Sequence, residues 1–132
     1  MQVGSARVIS GIGIDLIRIE RIEAALGRFG ERFTDRVLGA EERALCLSRR
    51  RLAEAVAIRF AAKEAFMKAV GLGLTGGMRW RDIEVIPDTR GKPNLKLSGR
   101  AAQMCNDACA HVSLTHEAGL AMATVIIDRG PR

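Results

Sequence analysis

The spacing of apolar positions changes several times along the chain, and each change marks an element. Val8 to Ile14 is mostly apolar and carries Gly11 and Gly13, which predicts a buried strand ending at Asp15. From Leu16 the spacing becomes helical. Leu16, Ile19, Ile22, Leu26 and Phe29 recur three or four residues apart, while Arg18, Arg21 and Arg28 fall on another face. Gly27 and Gly30 weaken the end of this helix. Glu41 to Ser48 predicts a short helix, and Leu52 to Val70 a longer one built of alanine and other strong helix formers, with Gly71 as its stop. Thr75 to Met78 reads as a loop. Ile83 and Val85 belong to a strand that Pro87 ends, and Leu95 and Leu97 alternate with polar residues as a half-buried strand does. Between them, Asp88 to Pro93 has turn chemistry. Ser98 is placed to cap a helix running to about Ala108. Val112 to Thr115 and Leu120 to Ile127 then form a hairpin around Glu117 to Gly119.

Helices and strands are mixed without a regular βαβ alternation, repeat or linker. The reading is an α+β fold, a single domain over 1–132, with a largely antiparallel sheet packed against the long helix. The chain has 132 residues, 48% hydrophobic and 27% charged, which suits one packed core and argues against disorder. It contains no apolar run of the roughly 20 residues a membrane-spanning helix needs. Met1 to Ser10 lacks the apolar stretch of a secretory leader. We expect a mature, cytoplasmic protein without membrane partners.

Charge narrows the partner. A net charge of +6 favours something anionic: a nucleic acid, a phosphorylated cofactor or an acidic protein. Aromatics are only 4% and tyrosine is absent, which disfavours nucleic acid bound by base stacking. Three cysteines do not make a disulfide framework. Cys105 and Cys109, one helical turn apart with His111 nearby, read as small helix side chains or as a metal site.

Four segments could carry chemistry. Gly11-Ile12-Gly13-Ile14-Asp15 matches neither a phosphate loop nor the dinucleotide fingerprint. Asp15 either caps the helix starting at Leu16 or is held rigidly at a strand end, as a metal ligand must be. In Arg59-Phe60-Ala61-Ala62-Lys63-Glu64-Ala65-Phe66-Met67-Lys68, Glu64 and Lys68 share a helix face, either as a surface pair or as part of a site. Arg59 and Lys63 form a cationic pair at the same spacing, which repels unless an anion lies between. Ser113-Leu114-Thr115-His116 puts hydroxyls and an imidazole on a strand and its turn, and Arg90-Gly91-Lys92-Pro93 is a basic turn. Each of these two also reads as an ordinary surface feature.

Taken together, Gly13-Ile14-Asp15, a long gap, Phe60-Ala61-Ala62-Lys63-Glu64-Ala65 with Lys68, the Gly91-Lys92-Pro93 turn and Ser113 to His116 resemble the 4′-phosphopantetheinyl transferases, from about Ile9 to Asp128. The order matches the short bacterial branch, the holo-acyl-carrier-protein synthases. The resemblance implies transfer of the phosphopantetheine arm of coenzyme A to a serine of apo acyl carrier protein, leaving 3′,5′-adenosine diphosphate. It implies magnesium held by Asp15 and Glu64, with Lys68 close to the pyrophosphate, and Glu64 or a water at the metal taking the serine proton. Arg59, Lys63 and His116 would contact coenzyme A phosphates, and Gly71, Gly91, Lys92 and Pro93 would line its groove. Larger members carry a second acid two residues after the motif aspartate; Ile17 stands there in this chain. Short members are trimers with active sites between subunits, so a homotrimer is expected. The arginines of the first helix, Arg18, Arg21 and Arg28, would receive the acidic carrier protein. The competing readings, a small basic nucleic-acid-binding protein and an inactive scaffold, do not explain the combined motif.

Overall fold

The computed structural model describes residues 6–130, so the first half of the Met1 to Ser10 segment lies outside it. Strand β1 (Val8–Arg18) leads into helices α1 (Ile19–Phe29), α2 (Glu31–Val37), α3 (Ala40–Leu47) and α4 (Leu52–Val70). Two short 3₁₀ turns, Leu74–Gly76 and Trp80–Asp82, precede the hairpin β2 (Ile83–Pro87) and β3 (Pro93–Leu97). Helix α5 (Gly99–Met104) then connects to a second hairpin, β4 (Ala108–Glu117) and β5 (Leu120–Arg129). Strands β1, β5 and β4 form an antiparallel sheet in that order, and β2 pairs with β3. The fold is α+β, as expected.

Helix α4 is the centre of the molecule. Its one face lies on the sheet and its others on α1, α3 and β2, which is why an alanine-rich helix with no polar stripe is stable here. Ala61, Ala62, Ala65 and Phe66 meet Ala121, Ala123, Val125 and Ile127, the inward-facing residues of β5, in a single core cluster. Small residues let helix and sheet approach closely. At Gly11 and Gly13 the approach is closer still. A β-carbon on Gly13 would collide with the Ala65 carbonyl, and one on Gly11 with that of Ala69. The Gly-x-Gly pattern is therefore a helix-packing device. It presses β1 onto α4 and fixes where Asp15 stands relative to Glu64 and Lys68.

Three expectations need correction. Strand β1 continues through Asp15 to Arg18, because Leu16, Ile17 and Arg18 pair with Met122, Ala121 and Leu120. Sheet pairing overrides the helical spacing, so Asp15 is no helix cap. Leu16 points outward at 58% exposure, and Arg18 stands at the end of the strand rather than on α1. Second, α5 ends at Met104, so Cys105 is at its C-cap while Cys109 lies in β4. The two do not share a helix face, and among the described residues no cluster of metal-ligating side chains forms. Third, α2 was not foreseen. Helix α4, its left-handed cap at Gly71, the β2–β3 turn and the β4–β5 hairpin stand as read, the last with longer strands.

The sheet covers α4 with one face and leaves the other bare. Ile12 and Ile14 are 63% and 54% exposed, and with Leu16 they form an apolar row on β1. Their partners across the strand, Ile126, Thr124 and Met122, continue it onto β5. No helix among the described residues is long and apolar enough to cross a membrane.

Candidate functional site

Two separate places collect the residues singled out in the sequence. The first lies where β1 crosses α4. Asp15, three residues before the strand ends, faces the helix, and Lys68 donates to its Oδ1 and to the Ile14 carbonyl, both at 3.0 Å. Glu64, one turn earlier on α4, is near enough that the Asp15 charge acts on it. Burial, and then that charge, hold the Glu64 carboxyl above its ordinary range, with Trp80 and Lys68 pulling the other way. Two carboxylates are thus brought together at a cost to Glu64, with one lysine to offset it. Such an arrangement suits a multivalent cation or a reacting phosphate rather than stability. Hard oxygen donors in this number fit magnesium, which binds through one or two carboxylates and keeps several waters.

The second place is a basic groove of about 530 Å³. Arg59, Gly91, Pro93 and His116, which the resemblance assigns to coenzyme A, line it together with Arg49, Arg50 and Arg51. The Gly91 bend is set by Asp88, whose Oδ1 accepts from the backbone N–H of Arg90 and Lys92 at 2.8 and 2.9 Å, and by a φ of 86° at Gly91. Lys92 is exposed on the same turn. His116 lies in β4, its Nδ1 3.3 Å from Glu54 Oε1. Arg59 is nearly buried, its guanidinium donating to the Ala55 carbonyl at 3.1 Å. Gly71 is not part of this groove. It caps α4 at the end where Lys68 stands.

Lys63 belongs to neither place, which corrects the expectation that it contacts coenzyme A. It is fully buried. Its Nζ donates to Glu42 Oε1 at 2.6 Å, to the Trp80 carbonyl at 3.1 Å and to the Ile83 carbonyl. Glu42 in turn accepts from the backbone N–H of Val85 at 2.8 Å and of Gly39 at 3.3 Å, and lies 3.9 Å from Arg59. Burial pushes Glu42 up and Lys63 down, and their contact draws each back. The anion that the like-charged Arg59 and Lys63 require is therefore Glu42, supplied by the chain itself. That spacing was the one sequence signal for this residue. The arginine run Arg49 to Arg51, just before α4, likewise passed unread.

Arg21 and Arg28 are exposed on α1, and Arg28 lies over the ring of Phe29 at 5.2 Å. Arg18 stands apart from them, 3.6 Å from Glu20.

The sequence profile described as "ACPS: 4'-phosphopantetheinyl transferase superfamily" matches residues 11–125. A holo-[acyl-carrier-protein] synthase of Methylorubrum populi is 49% identical over 131 residues, covering 94% of this chain and 96% of its own. One from Bordetella parapertussis is 46% identical, covering 93% of this chain and 85% of its own. Among solved structures, a holo-(acyl-carrier-protein) synthase from Bacillus anthracis in complex with CoA (3',5'-ADP) superposes with a TM-score of 0.79 at 39% identity, covering 95% of this chain and 100% of that one.

Proposed function

Because the chain belongs to the 4′-phosphopantetheinyl transferase superfamily, we propose that it moves the phosphopantetheine group of coenzyme A onto a serine of apo acyl carrier protein, releasing 3′,5′-ADP, in support of fatty acid biosynthesis. The observation that carries this reading is the meeting of Asp15, Glu64 and Lys68, three residues of two distant motifs, across the β1–α4 contact. The relatives' names and the coenzyme A bound in the Bacillus anthracis structure support the same substrates.

Displacement at phosphorus asks the protein mainly for positioning and charge neutralisation. Asp15 and Glu64 would hold magnesium, which when bound supplies positive charge to the pyrophosphate. Lys68 leaves its bond to Asp15 for the leaving phosphate, as a compact cation on a flexible stem can. Arg59, His116, Lys92, Gly91 and Pro93, with Arg49 to Arg51, form a cradle of the sign and shape for a nucleotide diphosphate. Three unpaired cysteines suit a reducing cytoplasm.

Neither the basic groove nor the larger cavity beside it, about 950 Å³ around Arg18, Glu23 and Arg51, is lined by Asp15, Glu64 or Lys68. One chain thus holds the carboxylates and the groove apart. We place the working site between subunits, the groove of one facing the carboxylates of the next, in a homotrimer. The bare apolar row of Ile12, Ile14 and Leu16 supports the assembly, since monomers rarely leave such a face to water. Light scattering is expected to give a trimer that carries the activity; an active monomer would rule the arrangement out.

The carrier is acidic, and Arg21 and Arg28 present charge on α1 just beyond Asp15. Replacing Arg21 with glutamate, alone or with Arg18, should raise the KM for the carrier about tenfold or more. The KM for coenzyme A should stay within about twofold, because only carrier binding is lost. The effect should shrink as salt is added. An unchanged carrier KM would move the docking face elsewhere.

A further inference from the structure

Among the described residues that line the basic groove, Glu54 is the one carboxylate, set against Arg49, Arg50, Arg51, Arg59 and His116. It stands in the first turn of α4. A negative charge there opposes the phosphates that the proposed function brings to the groove, so its presence asks for a reason. The helix dipole favours an acid in a first turn, but it does not explain what the two oxygens meet. Oε1 lies 3.3 Å from His116 Nδ1, and Oε2 lies 3.6 Å from a guanidinium nitrogen of Arg51. One side chain therefore bridges β4 and the residue that caps α4. Arg51, Glu54 and His116 are also the three residues that line both the groove and the larger cavity beside it, so they form the wall between the two. Within that wall the Arg51 side chain is 82% exposed and the Glu54 side chain only 23%. The carboxylate is the fixed member, and the arginine is the one with rotamers to lose.

We propose that Glu54 is a positioning residue for the phosphates of coenzyme A, acting through Arg51 and His116. One oxygen holds the His116 ring by Nδ1, which leaves Nε2, on the far edge of the ring, to a phosphate. The other oxygen holds Arg51 beside it. Ordering an exposed arginine opposes anion binding, and a fixed carboxylate does part of that ordering beforehand. Contacts of this length commonly shorten once substrate is bound. The proposal rests on the assignment of the groove to coenzyme A given above.

The test is calorimetric titration of 3′,5′-ADP into the whole protein. Glu54→Ala should weaken binding about tenfold and raise the KM for coenzyme A to match, with kcat and the KM for the carrier within about twofold. Glu54→Gln keeps an acceptor for Nδ1 but no charge for Arg51, and should lose less. A carboxylate that merely sat among cations would give the opposite sign, because its removal would relieve repulsion and tighten binding. A role confined to the helix dipole would move the melting midpoint and leave both constants alone. In a chain already carrying Arg51→Ala and His116→Ala, Glu54→Ala should weaken binding no further, since the groups it acts through are gone. Unchanged or tighter binding in Glu54→Ala, or a full further loss in the chain without Arg51 and His116, overturns the proposal. Should the alanine variant fold poorly, Glu54→Gln decides alone, and binding as tight as that of the natural chain overturns it. The groove's assignment survives those results as long as Arg51→Ala with His116→Ala binds 3′,5′-ADP more weakly than the natural chain does. If that double variant binds it equally well, or the natural chain does not bind it, the assignment fails and the role of Glu54 with it.

Discussion

Alanine in place of Glu64 or Asp15 is expected to reduce transfer by about 10³-fold or more, with the chain still folded. Both parts follow from the geometry. Each side chain contributes to the charge cluster that the proposed function assigns to the substrate's phosphates. Losing one carboxylate should remove the metal as well as a charge. Stability should scarcely suffer. The Glu64 carboxyl is disfavoured in its ionised form by burial and by the Asp15 charge, so its removal relieves repulsion. Asp15 gives up a partly exposed pair with Lys68, worth about 1 kcal/mol at most. Thermal melts within a few degrees of the natural chain, combined with lost turnover, would be the expected result. Near-normal turnover of either folded variant at any magnesium concentration would refute the assignment.

Lys63→Met is expected to do the opposite: to damage the fold first. It would remove the closer of the two cations beside the buried Glu42 and leave only Arg59 at 3.9 Å, at a cost of about 3–5 kcal/mol. For a domain of this size that lowers the melting midpoint by on the order of 10–20 °C. Pairing it with Glu42→Gln should recover part of the loss, because the buried negative charge is gone, although the single amide oxygen keeps only one of the N–H bonds that the two carboxylate oxygens accept from Val85 and Gly39. Calorimetry of the natural chain and the two variants checks this. A stable Lys63→Met protein with a raised KM for coenzyme A would instead return Lys63 to the nucleotide groove.

Lys63 and Lys68 show where a sequence stops informing. They are chemically alike and sit on one helix, about 140° apart around its axis. One is in the core and the other at the site. An amphipathic helix would betray which side is which, but α4 is surrounded, with alanine on every face, and offers no polar stripe to read. The same surroundings made its ends easy to place, since helix formers fill it from Leu52 to Val70 and Gly71 supplies the left-handed cap at φ 76°. At β1 the difficulty was of another kind. Leu16 has the spacing of a helix residue by coincidence, and it is apolar because it belongs to the bare face of a sheet. A pattern that marks surfaces leaving water cannot say whether a neighbouring element or another subunit takes them. Asp15, Glu64 and Lys68 were singled out by the resemblance of the combined motif, but Glu42 was not. Its importance comes from what meets it across the core, and a buried glutamate looks like a solvated one until its partners are known.

The most direct measurement is the intact mass of apo acyl carrier protein after incubation with this protein and coenzyme A. The account predicts a gain of one phosphopantetheinyl group per carrier and release of an equal amount of 3′,5′-ADP. Both should occur with magnesium, vanish in excess chelator, and be missing with Glu64→Ala. A carrier left unmodified at every magnesium concentration, or modified as fast in chelator as in magnesium, would contradict it.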